Sequence, residues 1–191
     1  MLIGFHGYAE AAEAQLARLQ AIPGAERWLA VSVQALNRFY QRRTSDVVAG
    51  WMTRQDRELA IADNLAYVAG VIDEVERDWP TVAPVVFAGF SQGVAMAFRA
   101  AVATGRPAAA VIAVGGDVPP EIETAALARL QTVLMCRGAA DPFYAADTFA
   151  NDIRRLREAQ TDVRPLEFPG GHEWSDPVLS AAALLLRERH S

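Results

Sequence analysis

Cysteine occurs once in the 191 residues, at Cys136, so no internal disulfide can form and the chain fits a reducing compartment. Cys136 lies in the apolar run 132–136, where a small buried core residue is its plain reading. A basic excess is also missing. The 18 Lys and Arg stand against 23 Asp and Glu, and the net charge of −5 argues against nucleic acid as the main partner. No apolar run approaches the roughly 20 residues of a membrane span. No basic stretch leads into an apolar one at the amino end, where Gly4, His6 and Gly7 interrupt the opening run, so no signal peptide is expected. The expectation is a cytoplasmic protein. Repeats, low-complexity tracts and linkers are absent too, which leaves one domain over 1–191. A domain of this length buries roughly 70% of its unfolded surface and needs no disulfide or metal staple.

What is there is an alternation of short β-type and longer helix-type runs. Strands are expected over 2–5, 28–33, 82–88, 109–114, 132–136 and 163–168. Helices are expected over 10–20, 59–79, 91–104, 143–159 and 177–189, for example from Leu65, Val68, Ile72 and Val75 at helical spacing. Strands alternating with helices imply right-handed parallel βαβ units, and the near-continuous apolar strands imply burial on both sheet faces. The one long irregular stretch is 35–57, which carries Phe39, Tyr40, Trp51 and Met52. A structureless loop of that length usually serves function, often as a wall or partial lid over a site.

The strongest local signal is Gly89-Phe90-Ser91-Gln92-Gly93, between a β-type run and a helix of small residues. G-x-S-x-G is common by chance, but the strand–turn–helix setting makes it a nucleophile elbow, with the serine raised above the sheet edge. A tight structural turn with an incidental serine is the bland alternative. A serine of ordinary pKa requires a base, and the base requires an orienting group. Three histidines are available. The order serine, acid, histidine discards His6, and His190 lies in a stretch prone to fraying. His172, in the glycine-rich segment Phe168-Pro169-Gly170-Gly171-His172-Glu173-Trp174 after the last strand, remains as the base.

The acid is expected at a strand end between Ser91 and His172. Asp117 and Asp141 both qualify. Asp141, followed by Pro142, is the better placed, although it could also serve as a helix cap without catalytic duty. Asp117 opens the Pro119-Pro120 loop and reads more simply as a turn residue. An acyl-transfer site also needs two backbone N–H groups for the oxyanion. Gln92 is expected to give one, and Tyr8, in the loop after His6-Gly7, the other.

With Gly-Phe-Ser-Gln-Gly at 89–93, His6-Gly7 closing the first strand and Gly-Gly-His-Glu-Trp at 170–174, the chain resembles the phospholipase/carboxylesterase group of α/β-hydrolases. That group includes acyl-protein thioesterases and small bacterial carboxylesterases and is similar to dienelactone hydrolases. Serine at 91, rather than cysteine, argues against a dienelactone hydrolase. The resemblance covers essentially the whole chain, with Asp141 where the family's acid lies. It implies a trimmed α/β-hydrolase fold: a six-stranded parallel sheet of order 2-1-3-4-5-6 with helices on both faces. It also implies a cofactor-free esterase or thioesterase without a catalytic metal. The family commonly has a second glycine and an aspartate after His-Gly, where this chain has Tyr8-Ala9-Glu10. It usually has a short hairpin before the His-Gly strand, which this chain reaches almost at once.

Too few residues separate the fourth and fifth strands for a cap domain, so a shallow pocket is expected. Candidate substrate contacts are Tyr8, Phe39, Tyr40, Trp51, Phe90, Phe143 and Trp174, each of which could equally be a packing residue. Arg42, Arg43, Arg54 and Arg57 could attract an acidic acyl group, though a solvated charged loop is the simpler reading. Arg154, Arg155 and Arg157 read as an exposed helix face. The leading expectation is hydrolysis of carboxylic esters with small or medium acyl groups. An acyl thioesterase or lysophospholipase is the close alternative, and a non-catalytic ligand-binding protein of the same fold the distant one.

Overall fold

A computed structural model describes residues 1–80 and 84–190, the last by its backbone alone. Its centre is a parallel sheet of β1 (Leu2–Phe5), β2 (Ala30–Val33), β5 (Val85–Phe90), β6 (Ala108–Val114), β7 (Thr132–Gly138) and β8 (Asp162–Phe168), in the order β2-β1-β5-β6-β7-β8. Counted among sheet strands alone, that is the expected 2-1-3-4-5-6, and every pairing is parallel. The expected third strand began at Val82. Val82 and Ala83 lie outside the described residues, and the strand is seen from Val85.

The three central strands β5, β6 and β7 are buried along their whole length, which is why their sequences are apolar without alternation. Successive residues feed opposite layers. Val85 and Phe87 join one core with Val68 and Ile72 of α2 (Arg57–Asp78), Met96 and Phe98 of α3 (Gln92–Ala103), and Phe149 and Leu156 of α5 (Ala146–Glu158). Val86, Ala88 and Phe90 join the other, with Leu19 of α1 (Ala12–Gln20) and Val178, Ala182 and Leu185 of α6 (Asp176–His190). Strand β8 alternates and carries Pro165, as befits an edge where one side of the ladder goes unused. A four-residue helix, α4 (Thr124–Leu127), is all the regular structure between β6 and β7, so no cap covers the sheet there.

The stretch 35–57 corrects the expectation of a structureless loop. It holds an antiparallel hairpin, β3 (Asn37–Tyr40) with β4 (Val47–Gly50), and Ala49 bridges to Glu10. The turn closes through Gln41 N–H to Asp46 O and Ser45 N–H to Gln41 O, with Ser45 at φ 59°. Neither strand alternates: β3 is exposed apart from half-buried Phe39, and β4 is apolar and buried from Val48 to Gly50, which hid the period of two. Arg155 is a second correction. It donates to the carbonyls of Val118, Pro119 and Ile122, fixing the loop after β6 rather than standing free on its helix.

Candidate active site

Ser91 sits between the end of β5 and the start of α3 with φ 52° and ψ −121°, a backbone region that non-glycine residues rarely occupy. The turn is over-determined. Ser91 N–H donates to Val114 O, and Val94 N–H donates to Ser91 O. Both flanking glycines are required by close approach. A Cβ at Gly89 would lie 2.4 Å from Gly93 O, and one at Gly93 would lie 2.1 Å from Phe5 O. The strain at Ser91 is thus held by the packing of β1 against the first turn of α3.

Asp141 and His172 meet across the ends of β7 and β8. Asp141 Oδ2 accepts from His172 Nδ1 at 2.8 Å, while Oδ1 accepts the N–H groups of Phe143 and Tyr144. Helix α5 starts only at Ala146, so Asp141 caps the preceding turn rather than the helix itself. Burial raises its pKa, but the hydrogen bonds from His172 and the two N–H groups outweigh this and hold the carboxyl below its ordinary value. A carboxylate can only accept, so Nδ1 carries the proton and leaves Nε2 of a neutral imidazole with its lone pair. Asp117, the other candidate acid, is exposed and does not touch His172. The His172 ring is gripped by Phe90 and Phe143, each with its centroid 4.9 Å away. Among the described residues no hydrogen bond joins His172 to Ser91 Oγ. The two are neighbours through Phe90, and such bonds often tighten only with substrate in place.

Opposite stands the loop after β1. His6 is fully buried, donates from Nδ1 to Gly7 O at 2.7 Å, and accepts the Ala35 N–H at Nε2. One partner can only accept and the other only donate, so His6 is the neutral Nδ1–H tautomer, and burial lowers its pKa accordingly. Glu10 accepts the Gly7 N–H at 2.8 Å and is itself held by Arg18 through both carboxylate oxygens. With the Gly7 carbonyl turned towards His6, planarity of the peptide turns the Tyr8 N–H the opposite way. Among the described residues neither Tyr8 N–H nor Gln92 N–H has a hydrogen-bond partner. Ala9 takes φ 58° where the resembling family commonly has glycine, and Glu10 does the anchoring where it commonly has aspartate.

Of the aromatic candidates, Tyr8 and Phe39 stack at 5.4 Å, and Phe143 stands exposed over His172. Trp51 is a correction. It is fully buried, donates its indole N–H to His6 O, and packs edge-on against Phe5, so it belongs to the core. Tyr40 is exposed at the turn end of the hairpin, three residues from the Asn37–Gly50 pair that adjoins the site. Phe90 is buried between Arg18 and His172, and Trp174 packs half-buried on the α6 layer. Nothing in the local sequence pattern signals what the Gln92 side chain does. Its Oε1 accepts the Trp51 N–H at 2.7 Å and ties the hairpin to α3.

The sequence profile of the phospholipase/carboxylesterase family matches residues 46–187, which include Ser91, Asp141 and His172. The chain belongs to that family. It is accordingly a carboxylic ester hydrolase. Among solved structures it is similar to the carboxylesterase from Mesorhizobium loti (18% identity, TM-score 0.79, 97% of this chain and 87% of that one). It is similar too to SOBER1 from Arabidopsis thaliana (17%, 0.77, 100% and 98%) and to a phospholipase/carboxylesterase from Dyadobacter fermentans (20%, 0.71, 97% and 88%). At these identities the likeness is one of fold. A comparison with curated proteins finds no match. In this phospholipase/carboxylesterase, no helix among the described residues is long and apolar enough to cross a membrane. A hollow of about 540 Å³ between Pro23–Trp28 and α6 contains none of the site residues.

Proposed function

We propose that the protein hydrolyses carboxylic esters of small or medium acyl groups through an acyl-enzyme on Ser91, with His172 as base and Asp141 as its orienting acid. The observation that carries this is the Asp141–His172 hydrogen bond of 2.8 Å beside a strained strand–helix turn that presents a serine. Ser91 Oγ attacks the ester carbonyl carbon as His172 Nε2 takes its proton. The oxyanion receives the N–H groups of Tyr8 and Gln92, both without hydrogen-bond partners among the described residues. Collapse breaks the bond to the leaving oxygen, which receives the proton from His172. A water, deprotonated by the same nitrogen, then releases the acid and restores Ser91. Asp141 keeps the proton of His172 on Nδ1 and steadies the imidazolium without taking a proton.

Tyr8, Phe39 and Phe143 frame the opening, and no cap extends the pocket, which suits short acyl chains. One domain over 1–191 carries the whole reaction without a metal or cofactor, in a cytoplasmic setting where the buried Cys136 stays reduced. The test is a fluorophosphonate label with mass-spectrometric mapping, run beside turnover of an activated short-chain ester and its thioester. One adduct on Ser91 and loss of both adduct and turnover in Ser91→Ala are expected. Labelling at another residue, or undiminished turnover in Ser91→Ala, would overturn the reading.

A further inference from the structure

A groove of about 330 Å³ starts at Gln92, the residue after Ser91, and runs along α3. Gln92, Ala95 and Arg99 lie on one face of that helix at positions i, i+3 and i+7, and they form its floor. Arg54 comes from the segment before α2 and Arg57 from the first residue of that helix, and Asp117 and Pro119 come from the loop after β6. That loop is fixed from behind by Arg155, so the wall is built before any ligand arrives.

The cations in this groove are not cancelled. Arg99 has a side chain only 5% exposed, yet its Nη1 is buried with no hydrogen-bond partner among the described residues. Its Nε and Nη2 both go to Glu121 Oε1, at 2.8 and 2.5 Å, and Arg57 reaches Glu121 Oε2 at 3.3 Å. Arg54 has no partner among the described residues. Three guanidinium groups therefore face two carboxylates, Asp117 and Glu121, in a chain whose net charge is −5. A buried donor left unpaired costs free energy, and a shift of the Arg99 side chain into the groove would let an anion there satisfy it with a charge-assisted bond.

The geometry points to an anion subsite here, for the distal carboxylate or phosphate of the ester substrate, an inference that rests on the serine-hydrolase reading above. Seven residues of helix separate Gln92 from Arg99, about 10 Å, and the arginine leans back towards the helix start, so the anion lies within about four to eight chain atoms of the reacting carbonyl. Arg99 and Arg54 would hold it from two sides, with Arg57 kept in place by Glu121.

The experiment compares kcat/KM for p-nitrophenyl monoesters of dicarboxylic acids of about four to eight carbons with their neutral methyl-capped analogues, and for 4-acetoxybenzoate with phenyl acetate. The first pair puts the charge on the acyl side and the second on the leaving group. A preference for the charged member in either pair is expected, together with a KM about tenfold higher for that member in Arg54→Gln and a change under about twofold for the neutral one. Arg54 is exposed and unpaired, so this variant keeps the fold. Equal handling of charged and neutral esters by the wild-type protein in both pairs overturns the subsite and leaves the hydrolase reading standing. If no ester is turned over, calorimetric titration with inorganic phosphate decides. Saturable binding weakened in Arg54→Gln supports the subsite although the hydrolase reading fails, and absence of binding removes both.

Discussion

Two walls face each other across Ser91, and they are held by different means. On the far wall, Asp141 and His172 stand at the carboxyl ends of β7 and β8, two strands paired over seven residues from Thr132–Asp162 to Gly138–Phe168. The near wall, from His6 to Glu10 and the β3–β4 hairpin, hangs on side chains that grip backbone. His6 holds Gly7 O, Glu10 holds Gly7 N–H, and Gln92 and Asn64 hold the two sides of Trp51. The far wall is positioned by the sheet, whose many ladder bonds share any strain. The near wall depends on a few buried polar groups, and losing one partner leaves another unsatisfied. The lesson is that the group proposed to move protons is mounted on the sheet, while the groups proposed only to donate N–H sit where local hydrogen bonds decide their direction.

The largest expected effects lie on the far wall and at the nucleophile. Ser91→Ala and His172→Ala should each lower kcat on an activated ester by about 10⁵–10⁶, and the double variant should be little worse than either. Independent, additive losses in folded variants would break the idea of one proton-transfer unit. Asp141→Ala should cost less, about 10⁴, because it orients the base and takes no part in bond making.

On the near wall, Glu10→Ala leaves the Gly7 N–H without its acceptor and Arg18 with only Gln15 Oε1. Stability should drop by about 2 kcal/mol in urea unfolding, and kcat should fall by about a hundredfold as the Tyr8 N–H loses its aim. A stability loss with kcat unchanged would show that the near wall is only scaffolding. Next in size is a pH effect. His6 is held neutral with a folded pKa below its ordinary 6.5, so the unfolded chain takes up the proton first on acidification. The stability due to this residue is fully present above pH 6.5 and is lost as pH falls through that value towards the folded pKa. His6→Asn keeps a donor for Gly7 O and should flatten this dependence, read from urea midpoints between about pH 7.5 and about pH 5. An identical slope in both proteins would assign the acid sensitivity elsewhere. The smallest effect is at Ala9. Its left-handed φ of 58° carries a cost that Ala9→Gly should relieve, raising stability by up to about 1 kcal/mol after the greater freedom of glycine in the unfolded chain is counted. A loss of 1 kcal/mol or more would mean that the alanine methyl packs productively there.

Much of this was legible along the chain because it is local. Apolar runs such as Val111–Val114 and the small-residue helix after Ser91 carry their own period, and the two glycines flanking Ser91 form a short motif, although what crowds Gly93 is the distant Phe5 O of β1. Asp141 and His172 could be proposed from their places after strands, since a parallel sheet gathers strand ends on one edge. The hairpin was missed because neither strand alternates, β3 being mostly exposed and β4 mostly buried, and Trp51, read as a loop aromatic, turned out to fill the space between β1, α2 and α3.

By itself, the sequence determined the βα alternation and the serine turn, set by short-range periodicity, sterics and the handedness of crossovers, while the strand order followed from the family resemblance. Tertiary structure alone decided which carboxylate meets His172, which way the Tyr8 N–H points, and that Arg99 of α3 keeps one guanidinium nitrogen unpaired among the described residues. The physical reason is distance. Asp141 and His172 are 31 positions apart and Gln92 and Trp51 are 41, so no local pattern encodes those pairings, and each forms only when packed layers bring separate strand ends and loops within hydrogen-bond reach.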